Sequence, residues 1–130
     1  MRVEGRAYRT IWPTDDGRAI EVIDQTLLPH RFSTRRIGDL DTAVDAIKTM
    51  VVRGAPLIGV TAAYGLAMAL DAAPNDASLE HAYRVLLASR PTAVNLRYAL
   101  DEVVARVSPL PPERRARAAW ARAEELCDWV

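Results

Sequence analysis

The sequence has one cysteine, Cys127, which excludes an internal disulfide framework and is typical of a reducing compartment. It also lacks a charge imbalance: 17 basic and 17 acidic residues give a formal net charge of zero. This disfavours a nucleic acid or a membrane surface as partner. The first residues have no apolar signal core, and the charge-free run 54–70 is too short to span a bilayer comfortably. We therefore expect a cytoplasmic protein that binds neither nucleic acid nor membrane.

Lysine is almost absent: Lys48 is the only one, whereas the sequence contains sixteen arginines. Arginine suits phosphate recognition, but a bias along the whole chain is more typical of GC-rich codon usage. The length of 130 residues corresponds to one domain, and 50% hydrophobic with 26% charged residues is ordinary for a folded protein.

The N-terminal part has the pattern of β-strands. Segments 7–12 and 18–24 are rich in β-branched and aromatic residues and flank the turn-forming segment 13–17, which predicts a hairpin. Segment 31–37 predicts a third short strand. The period becomes helical at Asp39. We predict an α+β fold, in which a small antiparallel sheet of about three strands (1–37) precedes a bundle of about five helices (39–130).

The apolar periodicity places the helices. In the first, Leu40, Val44, Ile47 and Val51 share a stripe, with Asp39 or Asp41 as N-cap. The second, from Pro56 to about Leu70, is apolar all round and should lie among the others; its Gly59, Ala63 and Ala67 form a ridge of small residues. The third covers 78–89. The fourth turns Val94 or Leu96, Leu100, Val103 and Val107 inward. The fifth starts near Glu113 with Ala116, Trp120, Ala123, Cys127 and Val130 on one face.

The start of the second helix is a candidate anion site. Proline fits the first turn of a helix, so a loop should end at Arg53-Gly54-Ala55 and a helix begin near Pro56. The free N–H groups there attract anions, and Arg53 would add a bidentate donor, which makes a phosphate the expected guest. The alternative is a capped core helix whose arginine pairs with a carboxylate.

A second segment, Arg90-Pro91-Thr92-Ala93-Val94-Asn95, repeats this arrangement of an arginine and a proline at a helix start. The two starts could converge on one phosphate. Thr92 could cap the fourth helix and Asn95 could offer its amide to a sugar hydroxyl. The alternative is that both residues serve only the helix start.

Other candidates are weaker. His30 and His81 have no partner at metal-ligand spacing and should be exposed, and Asp15-Asp16 fits a turn. Cys127 lies on an apolar stripe and should be a buried, inert thiol. The sequence contains no catalytic triad, glycine-rich nucleotide loop or zinc spacing. It thus has a binding half-site without an evident catalytic group, and no metal site is predicted.

Three segments together resemble the methylthioribose-1-phosphate isomerase family. They are Asp24-Gln25-Thr26-x-Leu28-Pro29, the run from Met50 to Gly65 that contains Arg53-Gly54-Ala55-Pro56, and the run from Arg90 to Leu96. The resemblance covers nearly all of this chain but about the N-terminal third of the family's protein. We therefore expect that the family's Rossmann-like C-terminal domain is absent here and that the last helix, cut at Val130, is that of a longer two-domain protein.

The resemblance implies an activity and a division of roles. The family converts 5-methylthioribose 1-phosphate to 5-methylthioribulose 1-phosphate in methionine salvage, without a cofactor. Arg53, Gly54, Ala55 and Arg90 match its substrate-binding residues, and Pro56, Thr92 and Asn95 would shape the site. The family's catalytic cysteine and aspartate belong to the later domain, and Cys127 does not match that cysteine. This chain alone should therefore be inactive. The complete protein should form a homodimer in which this part contacts its own C-terminal domain.

Three other functions stay open. A ribose 1,5-bisphosphate isomerase of the same superfamily would also need an anion site at this end of the molecule. A non-enzymatic subunit resembling the regulatory subunits of the translation-initiation exchange factor would not need the substrate arginines, so the presence of both Arg53 and Arg90 favours an enzyme. The third is a stand-alone helical scaffold.

Overall fold

The computed structural model describes residues 2–3, 6–7, 11–14, 19–24, 33–52 and 54–127. Five short strands precede five helices, in agreement with the predicted α+β order. The strands are β1 (Arg2–Val3), β2 (Arg6–Ala7), β3 (Ile11–Pro13), β4 (Ile20–Ile23) and β5 (Thr34–Ile37). The helices are α1 (Leu40–Lys48), α2 (Ala55–Ala72), α3 (Asp76–Ser89), α4 (Val94–Val107) and α5 (Pro112–Cys127).

The main sheet is antiparallel with the strand order β3-β4-β5, while β1 pairs with β2 separately. Ile11 lies opposite Val22, and Ile20 lies opposite Ile37. All four of these side chains are buried, so they form the sheet's share of the hydrophobic core. The predicted three-stranded sheet is thus confirmed, and the β1–β2 ladder adds to it.

The buried carboxylate of Asp24, 3% exposed, fastens the end of β4 to the neighbouring strand. Its Oδ2 lies 3.3 Å from the Nε of Arg35 on β5, and its backbone N–H donates to the Ser33 carbonyl at 2.9 Å. The rest of the segment that carries the resemblance here, 25–29, lies outside the described residues.

Helix α2 is the centre of the molecule and contacts each of the other four helices. Every residue from Leu57 to Leu70 is buried. Thr61 among them satisfies its hydroxyl by donating to the Leu57 carbonyl at 2.8 Å. The all-round apolar pattern therefore predicted its position correctly. No helix in the described ranges has the length and apolarity needed to cross a membrane.

Two glycines on α2 let its neighbours approach closely: Gly59, which belongs to the predicted ridge, and Gly65, which does not. A Cβ on Gly59 would lie 2.7 Å from the Asn95 carbonyl oxygen of α4, and one on Gly65 would lie 2.9 Å from the Ala43 Cβ of α1. Since both distances are below ordinary contact distance, α4 and α1 pack where α2 has no side chain.

The predicted stripe of the first helix is too long by one turn. Asp39 is the N-cap, and its Oδ1 accepts from the Thr42 N–H at 2.7 Å, but the helix ends at Lys48. Met50 has a left-handed backbone with φ of 65°, which reverses the chain. Val51 is therefore buried after the helix rather than on its apolar face.

The fourth helix begins later than a cap at Thr92 would require. The Ala93 N–H donates to the Arg90 carbonyl at 3.0 Å, so a turn precedes the helix and Ala93 is the N-cap, without a side-chain cap bond. Of the two candidates for the inward position, Leu96 is buried, whereas Val94 is 79% exposed. Thr92 as a helix cap was thus a wrong prediction.

Arg115 connects two loops between helices. Its guanidinium donates to the carbonyls of Leu110 at 3.2 Å, Pro74 at 3.1 Å and Ser108 at 3.4 Å. Nη1 also lies 2.6 Å from Oδ1 of Asp76. The side chain is only 8% exposed, so one arginine satisfies backbone acceptors of the α2–α3 loop and of the α4–α5 loop at once.

Candidate functional site

Helices α2 and α4 begin at the same end of the bundle. Gly59 lies in the first turns of α2 against Asn95, the second residue of α4, which brings the two N-termini together. Gly54, the N-cap of α2, has φ of 91°, a conformation that favours glycine, and no side chain caps either helix. Two positive helix ends thus lie close together at this end of the bundle.

A cleft of about 450 Å³ opens beside these helix starts, between α2, α4 and the last turns of α5. Its wall is mostly neutral and apolar, and it holds one amide and one guanidinium. The lining residues are Pro56, Gly59, Val60, Asn95, Tyr98, Ala99, Arg122 and Leu126. Pro56 and Asn95, predicted to shape the site, therefore line the same cleft.

Arg122, which lines the cleft from α5, is held by two carboxylates. Its Nη2 donates to Oε1 of Glu102 at 2.7 Å, and its Nη1 donates to Oε2 of Glu125 at 2.8 Å. The bond to Glu102 is the main cause that raises the pKa of Arg122 above its usual value, and the bond from Arg122 lowers the pKa of Glu125. The side chain of Arg122 is 18% exposed, so this charge is fixed at the cleft wall.

Arg90 lies at the C-cap of α3 and is half-buried. Within the described part of the chain no carboxylate lies within ion-pair distance of its guanidinium, whereas Arg35, Arg97, Arg106, Arg115 and Arg122 all have one. An arginine that is partly desolvated and has no anionic partner is suited to an external anion.

The remaining predicted residues divide into three groups. Gly54 and Pro56 are exposed at the start of α2, with Ala55 as its first residue. Thr92 is exposed and does not line the cleft. Arg53 lies outside the described residues, as do His30 and Asp15-Asp16.

Two of the weaker candidates, His81 and Cys127, lie in the described part of the chain and have the predicted exposure. His81 is exposed on α3, and Cys127 is buried at 2% exposure. No group of three or more potential metal ligands occurs in the described segments.

Sequence reasoning missed Tyr98 and Arg122. Tyr98 lies one turn beyond Val94 on the exposed side of α4, and Arg122 is one of several arginines on α5. No spacing or motif distinguishes either residue, since each acquires its place only when α5 packs across α2 and α4.

The architecture is thus a central helix surrounded by four others, with two helix starts that meet beside a cleft. A sequence profile of the Initiation factor 2 subunit family matches residues 51–128, so this chain belongs to that family. The match includes α2, α4 and α5, the three helices that build the cleft.

The similar proteins within this family include isomerases. The chain is 56% identical over 128 residues to a methylthioribose-1-phosphate isomerase of Paramagnetospirillum magneticum, covering 98% of this chain and 35% of that protein. It is 57% identical over 123 residues to the enzyme of that name from Methylocella silvestris, covering 95% and 34%. The chain therefore spans about a third of the length of these relatives.

Two solved structures share the fold. The 5-methylthioribose 1-phosphate isomerase of Pyrococcus horikoshii OT3 superposes with a TM-score of 0.84 and 32% identity, over 95% of this chain and 37% of that one. The delta subunit of translation initiation factor eIF-2B from A. fulgidus gives a TM-score of 0.82 and 30% identity, over 92% and 36%. The fold is thus common to proteins named as an enzyme and as an initiation factor subunit.

Proposed function

We propose that this chain is the phosphosugar-binding part of an aldose–ketose isomerase that converts 5-methylthioribose 1-phosphate to 5-methylthioribulose 1-phosphate. The observation that carries the proposal is the convergence of the α2 and α4 N-termini beside Arg90, which has no carboxylate partner in the described part. The identity of 56% to an isomerase of that name supports the substrate.

The proposed chemistry explains why an anion site is needed. A phosphate on C1 blocks simple ring opening at a free anomeric hydroxyl, so the enzyme has to hold the phosphate while the ring opens and hydrogen moves between C1 and C2. Arg53, Arg90 and the helix-start N–H groups would fix the phosphate and stabilise developing charge, with each oriented donor contributing about 3 kcal/mol in the transition state. The proton transfer requires a tuned acid or base, which we assign to the part of the isomerase that this chain does not match.

The initiation factor subunit remains the second candidate, because its fold is nearly as similar, with a TM-score of 0.82. Its sequence is less similar, at 30% identity against 56% for the isomerase of Paramagnetospirillum magneticum. A binding subunit also has no need for Arg90, which lies before the start of α4 and has no carboxylate partner in the described part of the chain. We therefore place the enzymatic function first.

The proposal extends to the complete protein. It would be a cytoplasmic homodimer without a cofactor, acting in methionine salvage, and the face with the helix starts would meet its C-terminal domain. This chain alone would then bind the phosphosugar but not isomerise it.

A segment exchange tests the proposal. The matching 128 residues of the Paramagnetospirillum magneticum isomerase are replaced by those of this chain, and conversion of 5-methylthioribose 1-phosphate is measured. We expect activity in the hybrid and none in the 130-residue chain by itself. A correctly folded hybrid that binds but never converts the substrate would contradict the enzymatic proposal and favour the binding subunit.

A further inference from the structure

The cleft beside the helix starts contains one ionised side chain among its lining residues, that of Arg122. The other lining groups are neutral, and most are apolar. Tyr98 is 55% exposed, whereas Ala99 and Val60 are buried. The affinity of this cleft for a charged ligand therefore depends on whether other side chains already neutralise Arg122.

That charge is already balanced. Arg122 pairs with Glu102 and Glu125, and Glu125 also lies 3.5 Å from Nη2 of Arg106. Two guanidinium groups and two carboxylates thus form one network whose charges sum to zero. Tyr98 adds its hydroxyl at 3.4 Å from Oε1 of Glu102, the oxygen that binds Arg122.

A phosphate that entered the cleft would meet these carboxylates together with the arginine. It would have to displace Glu102 from a 2.7 Å bond or remain close to it, and both are unfavourable. The situation at Arg90 is the opposite, since no described carboxylate pairs with that residue. The two arginines at this end of the bundle thus differ in the anion they can accept.

We propose that the Arg122–Glu102 pair makes this cleft a subsite for the uncharged, apolar end of a singly phosphorylated sugar and disfavours a second phosphate there. The inference rests on the proposed function for the choice of phosphosugar. It assigns Arg122 and Glu102 the role of specificity-determining residues, which separate a 5-methylthio substituent from the 5-phosphate of ribose 1,5-bisphosphate. Apolar contact with Val60, Ala99 and Leu126 would hold the methylthio group.

The subsite can be tested by NMR with the ¹⁵N-labelled 130-residue chain and separate probes. We expect 5-methylthioribose, which has no phosphate, to shift the amide signals of Ala99 and Leu126, which line the cleft and lie outside the first turns of α2 and α4. Inorganic phosphate should leave those two signals unchanged. Cleft signals that respond to phosphate, or that ignore 5-methylthioribose, would overturn the proposal.

A variant tests the role of the carboxylate. In Glu102→Gln the network loses one negative charge, so ribose 1,5-bisphosphate should bind at least fivefold more tightly than to the unchanged chain. The matched control is Glu124→Gln on α5, which removes the same charge from an exposed side chain that pairs with neither Arg122 nor Arg106. An equal gain in both variants, or no gain in Glu102→Gln, would contradict the role of Glu102.

These measurements are separable from the test of the proposed function. If the hybrid enzyme is inactive but 5-methylthioribose still shifts the cleft signals, the isomerase proposal is refuted and the subsite proposal stands. If the hybrid enzyme is active but the cleft signals of the 130-residue chain do not respond to 5-methylthioribose, the isomerase proposal stands and the subsite proposal is refuted.

Discussion

Gly59 of α2 and Asn95 of α4 lie so close that a Cβ on the glycine would be 2.7 Å from the asparagine's carbonyl oxygen. This approach brings the two helix starts together, and both residues line the cleft. The packing of α2 against α4 and the geometry of the candidate site therefore both depend on the absence of a side chain at Gly59.

Gly59→Ala should destabilise the protein by about 1–3 kcal/mol, because the new methyl group meets backbone that cannot move without shifting α4. Urea unfolding followed by circular dichroism measures this. Gly38→Ala is the matched control, since its Cβ would have no atom nearer than 3.8 Å. A loss of stability no larger than that of the control would show that α4 moves away at little cost.

Met50→Gly should stabilise the protein by about 1 kcal/mol. The methionine is 42% exposed and has φ of 65°, a left-handed backbone that costs a side-chain-bearing residue about 1–2 kcal/mol. Met50→Ala is the control, because it removes the side chain but keeps the strain. If the alanine variant gained as much in thermal denaturation, the gain would come from the side chain and not from the backbone.

Arg115→Met should cost about 2–3 kcal/mol, because three backbone carbonyls lose a charged donor in a largely buried position. Asp76, its acidic partner, is 90% exposed, so no buried carboxylate is left uncompensated. Arg117→Met on the exposed face of the same helix should change stability by less than about 0.5 kcal/mol. Chemical denaturation of both variants checks this, and equal losses would contradict the role of the Arg115 hydrogen bonds.

Asp39→Ala should lower stability by about 1 kcal/mol at pH 7, because α1 loses its N-cap. Hydrogen bonding from the Thr42 side chain, and after it from the Thr42 N–H, holds the pKa of Asp39 below its usual value. A carboxylate with a depressed folded-state pKa stabilises the protein above its unfolded pKa and loses that contribution as the pH falls through the folded value. The difference between the two proteins should therefore shrink below about pH 4, the usual range of an aspartate carboxyl; a constant difference down to about pH 2 would contradict it.

Arg53→Ala and Arg90→Ala should each reduce kcat/KM of the segment-exchanged isomerase by two or more orders of magnitude, because each removes a phosphate ligand from the transition state. Arg84→Ala on the exposed face of α3 is the control and should retain full activity. Circular dichroism establishes whether the variants keep the fold. Unchanged kinetics in the Arg53 or Arg90 variant would remove that arginine from the proposed site.

Several features were predictable because they depend on local chemistry. The N-cap at Asp39, the helix start next to Pro56 and the burial of α2 follow from capping, proline geometry and uninterrupted apolarity. The wrong predictions, Thr92 as a cap and Val51 on the first helix, concern helix ends. There a turn at Arg90 and a left-handed Met50 changed the boundary by only a few residues.

By itself, the sequence determined the α+β order, the central helix and its start next to Pro56 at one end of the bundle, because periodicity and capping act over a few neighbouring residues. Only the tertiary structure decided what lies beside that end. Tyr98 and Arg122 are far apart in sequence and belong to helices with many similar residues, so their place in one cleft depends on how α5 crosses α2 and α4. The neutralisation of Arg122 by Glu102 is likewise a contact between helices, and the periodicity of either helix carries no information about it.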